Sequence, residues 1–289
     1  MDRHWALNGE GELDYEKHCG KCSECNDFQC QKARIIKPTN YSLFNYLVYM
    51  LYAPLYLAGP IISFNDFTNQ MNSRKTINIK TTIMIGIVLL MELMMHNLYV
   101  VAIKNAKAFK GFSSLEIYCL GYFNLKFIWL KLMIIWRFFR MWAMYDDIET
   151  TENMTRCITN QYSAQEFWKH WHSSYNKFLI RYLYVPLGGK QYKMLNTFCI
   201  FTFVAIWHDI NLQLLAWGWL ISVFILPEII GTRLFCTPRN KEKSWYLDVC
   251  ALGGVFNLLQ MITANLVGFA VGIDGIIEMY HEMWNYEGK

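Results

Sequence analysis

The sequence FWKHWHSSYNKFLIRYLYVPLGGK, residues 167–190, and the run MLNTFCIFTFVAIWHDI, residues 194–210, decide the fold of this chain. Two histidines stand out, His172 in the Trp-rich amphipathic part and His208 near the end of the apolar run. Pro186 and a Gly-Gly pair lie between them, so we expect the first segment to end there and bend back. An imidazole at the end of an apolar segment costs desolvation free energy, and such residues typically serve chemistry or ligation. A core histidine satisfied by a carbonyl is the alternative.

The composition indicates a membrane protein. Of the 289 residues, 54% are hydrophobic and 17% are charged, whereas soluble domains carry about 25% charged residues. Runs of about 20 apolar residues, the length needed to cross a bilayer, recur along the chain. The net charge is +4 and the lysines are scattered. No basic stripe supports nucleic-acid binding, so we predict no nucleic-acid partner.

The apolar runs predict an all-α integral membrane protein. We expect a multi-spanning bundle of about six membrane segments plus one re-entrant, amphipathic segment. The expected organisation is a hydrophilic, Cys-containing leader (1–40), a membrane domain (41–275) and a polar C-terminal tail (276–289). The six apolar runs are residues 41–64, 81–103, 117–144, 194–208, 212–230 and 249–272.

Four cysteines lie close together in the leader: Cys19, Cys22, Cys25 and Cys30. Thiolates at such short spacings could hold a structural zinc ion in a tetrahedral site. Palmitoylation of juxtamembrane cysteines and plain reduced loop cysteines are the two alternatives. We assign no metal to the candidate active site.

The aromatic side chains of the central stretch predict one helical face. Trp168, Trp171, His172 and Tyr175 fall at i, i+3, i+4 and i+7 of a helix. This pattern is typical of an interfacial or re-entrant helix with its aromatic side inward. Asn176, one turn beyond His172, is a candidate hydrogen-bond donor for the same face.

Basic side chains within apolar runs are candidates for binding an anion. Arg137 and Arg140, at i and i+3, have the spacing of a phosphate clamp. Snorkelling of both side chains at a helix end is the alternative. Arg181, beside Tyr182 and Tyr184, is a third such cation.

Several word-length motifs resemble the membrane-bound O-acyltransferase superfamily. The central stretch and the apolar run ending in WHD are similar to its glycerol-uptake-protein (Gup) branch, a relative of Hedgehog acyltransferase. The resemblance covers roughly residues 38–275, because further motifs follow in the family's order. These are YAPLYLAGPIISF (52–64), NLKFIWLKLMIIWRFFRMWA (124–143) and LLAWGWLISVFILPE (214–228).

The resemblance implies that His208 is the catalytic residue and that His172 occupies the family's second conserved polar position. Neutral imidazole predominates at pH 7, so His208 suits a general base that takes a hydroxyl proton. His172 would then hydrogen-bond the donor carbonyl or position the acceptor. The candidate substrate-binding residues are Trp168, Asn176, Arg181, Arg137 and Arg140.

The resemblance also implies an activity and a location. The expected reaction moves a long-chain acyl group from acyl-CoA, a co-substrate, to a lipid hydroxyl in the endoplasmic reticulum membrane. We expect no tightly bound cofactor. The Gup branch suggests the re-acylation of a lyso form of a glycosylphosphatidylinositol (GPI) lipid. The expected partners are therefore membrane lipids, acyl-CoA and an acceptor such as a GPI lipid or glycerol.

Three alternatives stay open. The chain could be a protein acyltransferase of the Hedgehog-acyltransferase type, a glycerol or proton-coupled carrier, or an inactive truncated paralogue. Carriers often contain inverted repeats, and the sequence shows none. The hypothesis of a truncated paralogue arises because family members usually have several more membrane segments before the region of residue 41, and these segments do not occur in this sequence. Without them we expect an open acyl tunnel.

Overall fold

The computed structural model describes residues 38–72, 81–106, 108 and 111–287, and the regular secondary structure in this part of the chain is helical. The leader cysteines, with their zinc hypothesis, lie outside the described residues. A π-helical turn spans Ile180–Tyr184. The α-helices are α1 (Leu43–Leu51), α2 (Ala53–Leu57), α3 (Phe64–Asn72), α4 (Thr81–Asn97), α5 (Val100–Asn105), α6 (Ser114–Tyr145), α7 (Ala164–His170), α8 (Ser173–Leu179), α9 (Lys193–His208), α10 (Leu212–Phe235), α11 (Pro238–Lys241), α12 (Tyr246–Phe269) and α13 (Gly272–Glu287).

Three of the described helices, α6, α10 and α12, are long and apolar enough to cross a membrane. They have 32, 24 and 24 residues, and about 20 suffice to span the hydrocarbon core. At most 33% of the most apolar window of any of them is buried inside the protein. Such outward apolar surface is stable only against lipid or a partner, so the chain is an all-α membrane protein, as predicted.

The other expected spans are shorter or interrupted. The first run divides into α1 and α2 and stops at Leu57, because Pro54 lies at the start of α2 and Gly59-Pro60 follows its end. The second run breaks after Asn97 into α4 and α5. Helix α9 has 16 residues, about 24 Å at a rise of about 1.5 Å per residue. By length alone, the described residues therefore contain three full spans, where we expected about six membrane segments.

The described residues divide into two compact units, and the first comprises those within Met1–Gly86 and Ile134–Asn153. A side-chain amide joins two of its segments: Gln70 Nε2 donates to the Glu149 carbonyl (3.0 Å), and Gln70 Oε1 accepts from the Glu149 N–H (2.6 Å). This unit packs around the buried side chains of Ile62, Phe67, Ala143 and Ile148.

The second unit, which comprises the described residues within Ile87–Met133 and Met154–Lys289, contains both candidate histidines. Helices α9 and α10 form a tight hairpin joined by residues 209–211. Helix α10 also packs along α12. This three-helix arrangement forms the framework behind the candidate site.

Two glycines allow these helices to approach closely. A Cβ on Gly218 of α10 would lie 2.7 Å from the carbonyl oxygen of Phe201 on α9. A Cβ on Gly268 of α12 would lie 2.7 Å from Cγ of Trp217 on α10. Both distances are too short for a real contact, so larger residues would force the helices apart.

Part of the expected polar tail is folded. Helix α13 covers Gly272–Glu287. Met279 of this helix is 4% exposed and packs in a small core of the second unit. The other buried members of that core are Val100, Ile117 and Leu120.

Candidate active site

The predicted continuous helix from Trp168 to Tyr175 is wrong. Helix α7 ends at His170 and α8 begins at Ser173. Between them, His172 adopts the left-handed conformation, with φ 43° and ψ 53°. This conformation costs an L-residue roughly 1–2 kcal/mol, so it persists only where local contacts favour it.

The side chain of His172 provides such a contact by capping α8. Its Nδ1 accepts a 3.3 Å hydrogen bond from the backbone N–H of Tyr175, satisfying one of the first four free N–H groups of the helix. Because Nδ1 accepts, the neutral ring carries its proton on Nε2. Burial lowers the pKa of His172 to about 4. At pH 7 the ring is therefore neutral, with a donor at Nε2.

A set of rings connects His172 to His208. The ring centroid of Tyr175 lies 5.3 Å from that of His172 and 4.5 Å from that of Trp207, on which it stacks. Trp207 in turn lies 4.9 Å from His208. A charge on His208 would further lower the pKa of His172, so the two rings are within electrostatic reach. The structure thus brings together the two histidines singled out from the sequence.

His208 lies at the C-terminal end of α9, against the edges of rings from α10 and α12. Its centroid is 5.9 Å from Trp217 and 5.3 Å from Phe269, with interplanar angles of 84° and 73°. Trp217 is 1% exposed, and its indole N–H donates to the Asn265 side chain at 3.2 Å. The His208 side chain is exposed. Across the described part of the chain, its imidazole has no hydrogen bond, so both nitrogens are available to a substrate.

Trp168, a predicted binding residue, belongs to the same set of rings. Its centroid lies 5.5 Å from Phe201 and 5.7 Å from Trp217. It therefore links α7 to both α9 and α10. We call this set the aromatic cluster; its members are Trp168, Tyr175, Phe201, Trp207, Trp217 and Phe269.

Glu228 of α10 anchors the N-terminus of α7, and the sequence reasoning missed it. Its carboxylate accepts hydrogen bonds from Ser163 Oγ (2.5 Å), the Ala164 N–H (2.7 Å), the Gln165 N–H (3.3 Å) and Gln165 Nε2 (3.1 Å). The positive end of the helix dipole favours a carboxylate at this position. A lone carboxylate inside an apolar span was the available signal.

Two other predicted binding residues follow His172 in the second unit. Asn176 lies half-buried on α8. Arg181, in the π-helical turn, is 5% exposed, and its guanidinium carbon lies 5.3 Å from the Tyr182 ring centroid. Their role toward a substrate stays a prediction.

Arg137 and Arg140 lie on α6, in the part assigned to the first unit. Arg137 Nε is 3.3 Å from the Glu152 carboxylate, and Arg140 Nε donates to the Thr150 carbonyl at 3.1 Å. Both side chains thus have protein partners in the segment that follows their helix. The phosphate clamp stays a prediction.

Comparisons with known proteins identify relatives along most of the chain. The membrane-bound O-acyltransferase GUP1 of Millerozyma farinosa is 42% identical over 96% of this chain and 56% of the relative. GUP1 of Saccharomyces cerevisiae is 47% identical over 85% of the chain and 44% of the relative. A more distant relative is the protein-cysteine N-palmitoyltransferase HHAT of Mus musculus, 28% identical over 83% of the chain and 51% of the relative. The chain spans about half the length of these relatives.

The sequence profile of the membrane-bound O-acyltransferase family matches residues 13–273. This range includes both histidines, Glu228 and all three candidate spans. The chain belongs to the membrane-bound O-acyltransferase family.

Proposed function

We propose that the chain transfers a long-chain acyl group from acyl-CoA to a hydroxyl of a lipid acceptor. The observation that carries this proposal is the convergence of His172 and His208 on the aromatic cluster. One ring is neutral with a donor at Nε2, and the other has an imidazole available for proton transfer. The similarity to proteins named membrane-bound O-acyltransferase supports the reaction class.

In the proposed reaction His208 is the general base. An imidazole nitrogen takes the proton of the acceptor hydroxyl as its oxygen attacks the thioester carbon. The carbonyl oxygen gains negative charge, and the Nε2–H of His172 donates a hydrogen bond to it. When the C–S bond breaks, the CoA thiolate leaves and takes the proton from the imidazolium. Acyl-CoA and the alcohol thus give an ester and free CoA.

A membrane lipid is the acceptor that the site's surroundings favour. His208 adjoins α10 and α12, two of the three candidate spans, and its side chain is exposed. A lipid hydroxyl could reach it from the bilayer. We propose a lyso-GPI lipid in the endoplasmic reticulum membrane, as the resemblance to the Gup branch implies, with glycerol as a smaller acceptor of the same chemistry.

A polypeptide acceptor is the second candidate. It is favoured by the similarity to the mouse protein-cysteine N-palmitoyltransferase, which is 28% identical over 83% of this chain. The same donor chemistry would serve, and the acceptor would be a protein group instead of a lipid hydroxyl.

Acyl-CoA turnover by the purified chain tests both candidates. Radiolabelled palmitoyl-CoA is offered with lyso-GPI lipid, other lyso-lipids, glycerol, or a peptide with an N-terminal cysteine. We expect CoA release and label in an ester of a lyso-lipid. Label found only in the peptide would favour the second candidate, and no transfer to any acceptor would contradict the proposed function.

The role of His208 is tested in the same assay. His208→Ala and His208→Asn should both lower kcat by about 10²- to 10⁴-fold, because neither side chain accepts a proton at neutral pH. His281→Ala is the matched control, since His281 is exposed on α13 and its hydrogen bonds among the described residues are to Asn285, one turn away. Full turnover by His208→Ala would show that another group is the base.

A further inference from the structure

Tyr175 has a buried hydroxyl that the proposed reaction has not yet used. The residue is 7% exposed, and its hydroxyl oxygen has no hydrogen-bond partner within the described residues. A buried polar group without a partner destabilises the folded state, so native proteins rarely keep one without a use. Phenylalanine would fill the same space without this cost.

The position of Tyr175 suggests what that use is. Its ring makes two contacts: it lies against the ring of His172, and it stacks on Trp207, the neighbour of His208. Its backbone N–H also holds Nδ1 of His172. Tyr175 therefore orients His172 and also carries a hydroxyl of its own, on a ring that contacts both His172 and Trp207.

A second buried donor of the aromatic cluster is in the same situation. The indole N–H of Trp168 has no hydrogen-bond partner in the described structure. A bound ligand would supply the acceptor that each of these two donors lacks. The reacting carbonyl of an acyl thioester is an acceptor of this kind.

We propose that the hydroxyl of Tyr175 donates a hydrogen bond to the carbonyl oxygen of the bound acyl thioester, beside the Nε2–H of His172. This inference rests on the proposed function and adds a substrate-contacting residue to it. As the acceptor oxygen attacks, the carbonyl π electrons move onto oxygen, and both hydrogen bonds strengthen. The carbonyl π bond forms again when the C–S bond breaks, and Tyr175 keeps its proton throughout.

The protonation of Tyr175 agrees with a donor role. Burial raises the pKa of its hydroxyl above the ordinary range. The group therefore stays protonated at the pH of any practical assay and acts as a donor, not as a base.

Tyr175→Phe is the direct test, with kcat, KM for palmitoyl-CoA and the unfolding temperature measured on the purified chain. We expect kcat to fall by about 10²- to 10³-fold, as for the loss of one oxyanion donor, with KM nearly unchanged. The unfolding temperature should stay level or rise, because the hydroxyl has no protein partner to lose. A purely structural hydroxyl would give the reverse pattern.

Tyr280→Phe is the matched control. The Tyr280 hydroxyl hydrogen-bonds to Thr263 Oγ1 at 2.7 Å and lies outside the aromatic cluster, so kcat should not change. Incorporation of 3-fluorotyrosine at position 175 provides a second variant that keeps the ring and its packing. Its more acidic hydroxyl should change kcat without changing the unfolding temperature.

The outcomes separate this inference from the function on which it rests. If the parent chain transfers acyl groups and both Tyr175 variants match its kcat, the inference is overturned and the proposed function stands. If the parent transfers to no acceptor in the panel, the proposed function fails first. Reduced kcat with an intact unfolding temperature supports both.

Discussion

Nδ1 of His172 lies 3.3 Å from the backbone nitrogen of Tyr175, and the hydrogen bond between them closes the turn that joins α7 to α8. The side chain proposed to contact the substrate thereby also builds the backbone that presents it. Substitutions at His172 consequently change two properties, the conformation of the turn and the chemistry of the site. The choice of replacement can separate them.

His172→Asn should keep more activity than His172→Ala. Asparagine tolerates the left-handed conformation and caps helices well, and its amide can donate to an acyl carbonyl. Alanine has none of these three properties, so we expect the free energy of unfolding to decrease by about 0.5–2 kcal/mol for the missing cap. We expect a loss in transition-state stabilisation of about 1.5–3 kcal/mol. Thermal unfolding and kcat/KM measure the two effects.

His172→Gly is the control for backbone strain. Glycine adopts positive φ freely but offers no donor. We expect the glycine variant to resemble alanine in kcat/KM. If its activity equals that of His172→Asn, the contribution of His172 is conformational and the donor role is wrong.

The stability of the fold should decrease as the pH falls from about 6.5 towards 4. The folded-state pKa of His172 is lowered from 6.5 to about 4 by burial. Between these values the unfolded chain binds a proton that the folded chain does not, so the free energy of unfolding decreases with falling pH. Above about 6.5 both states are neutral at this residue, and it contributes no pH dependence.

Unfolding temperatures at pH 7 and pH 5 test this window. The decrease should be smaller in His172→Asn, which has no titrating group at this position. The parent and the asparagine variant would show equal decreases if His172 were not responsible. Measuring the His208→Asn variant as well separates the contribution of the neighbouring imidazole.

Loss of the Glu228 carboxylate should loosen α7. Glu228→Ala removes the acceptor of four hydrogen bonds, and bonds to a charged group contribute about 1.5–3 kcal/mol. We expect a lower unfolding temperature and a lower kcat, since α7 leads directly into the His172 turn. Glu228→Gln should be intermediate because one acceptor oxygen is kept.

Glu242→Gln is the control for a change of charge, since Glu242 is exposed after α11. It should leave both quantities unchanged. An unfolding temperature of Glu228→Ala equal to that of the parent would show that the contact does not hold α7.

Gly268→Ala should disturb His208 from a distance. The added Cβ would lie 2.7 Å from Cγ of Trp217, whose ring contacts His208, and overpacking typically costs about 1–3 kcal/mol. We expect reduced stability and reduced kcat, measured by thermal unfolding and turnover. Gly253→Ala, in the same helix, meets nothing within 4 Å. It should be neutral or slightly stabilising, and equal effects of the two variants would contradict the packing argument.

The parts of the fold that depend on local signals were predictable from sequence. The end of α2 at Leu57 follows from Gly59-Pro60, and the α9–α10 hairpin follows from two apolar runs with only three residues, Asp209 to Asn211, between them. The break at His172 was not predictable, because helical periodicity continues through it. The left-handed conformation at His172 goes with a side-chain cap on Tyr175, and residue spacing does not reveal such a cap.

The candidate site was predictable only in part, because some of its contacts leave no local signal in the sequence. Sequence reasoning and the resemblance singled out His172 and His208, and the structure brings them to one cluster. Tyr175 was placed on the aromatic face without a role in the reaction, since nothing in its spacing distinguishes a buried hydroxyl with a partner from one without. Glu228 was missed because its partners are 63 to 65 positions away in the chain.

The separation of 64 positions between Ala164 and Glu228 also sets an order of events during biosynthesis. The ribosome makes α7 before it makes the carboxylate that holds α7, and α10 enters the bilayer later still. The N-terminal anchor of α7 is therefore completed only after Glu228 of α10 has been synthesised. A nascent chain that stops before residue 228 would contain both histidines, yet it would lack the carboxylate that anchors α7.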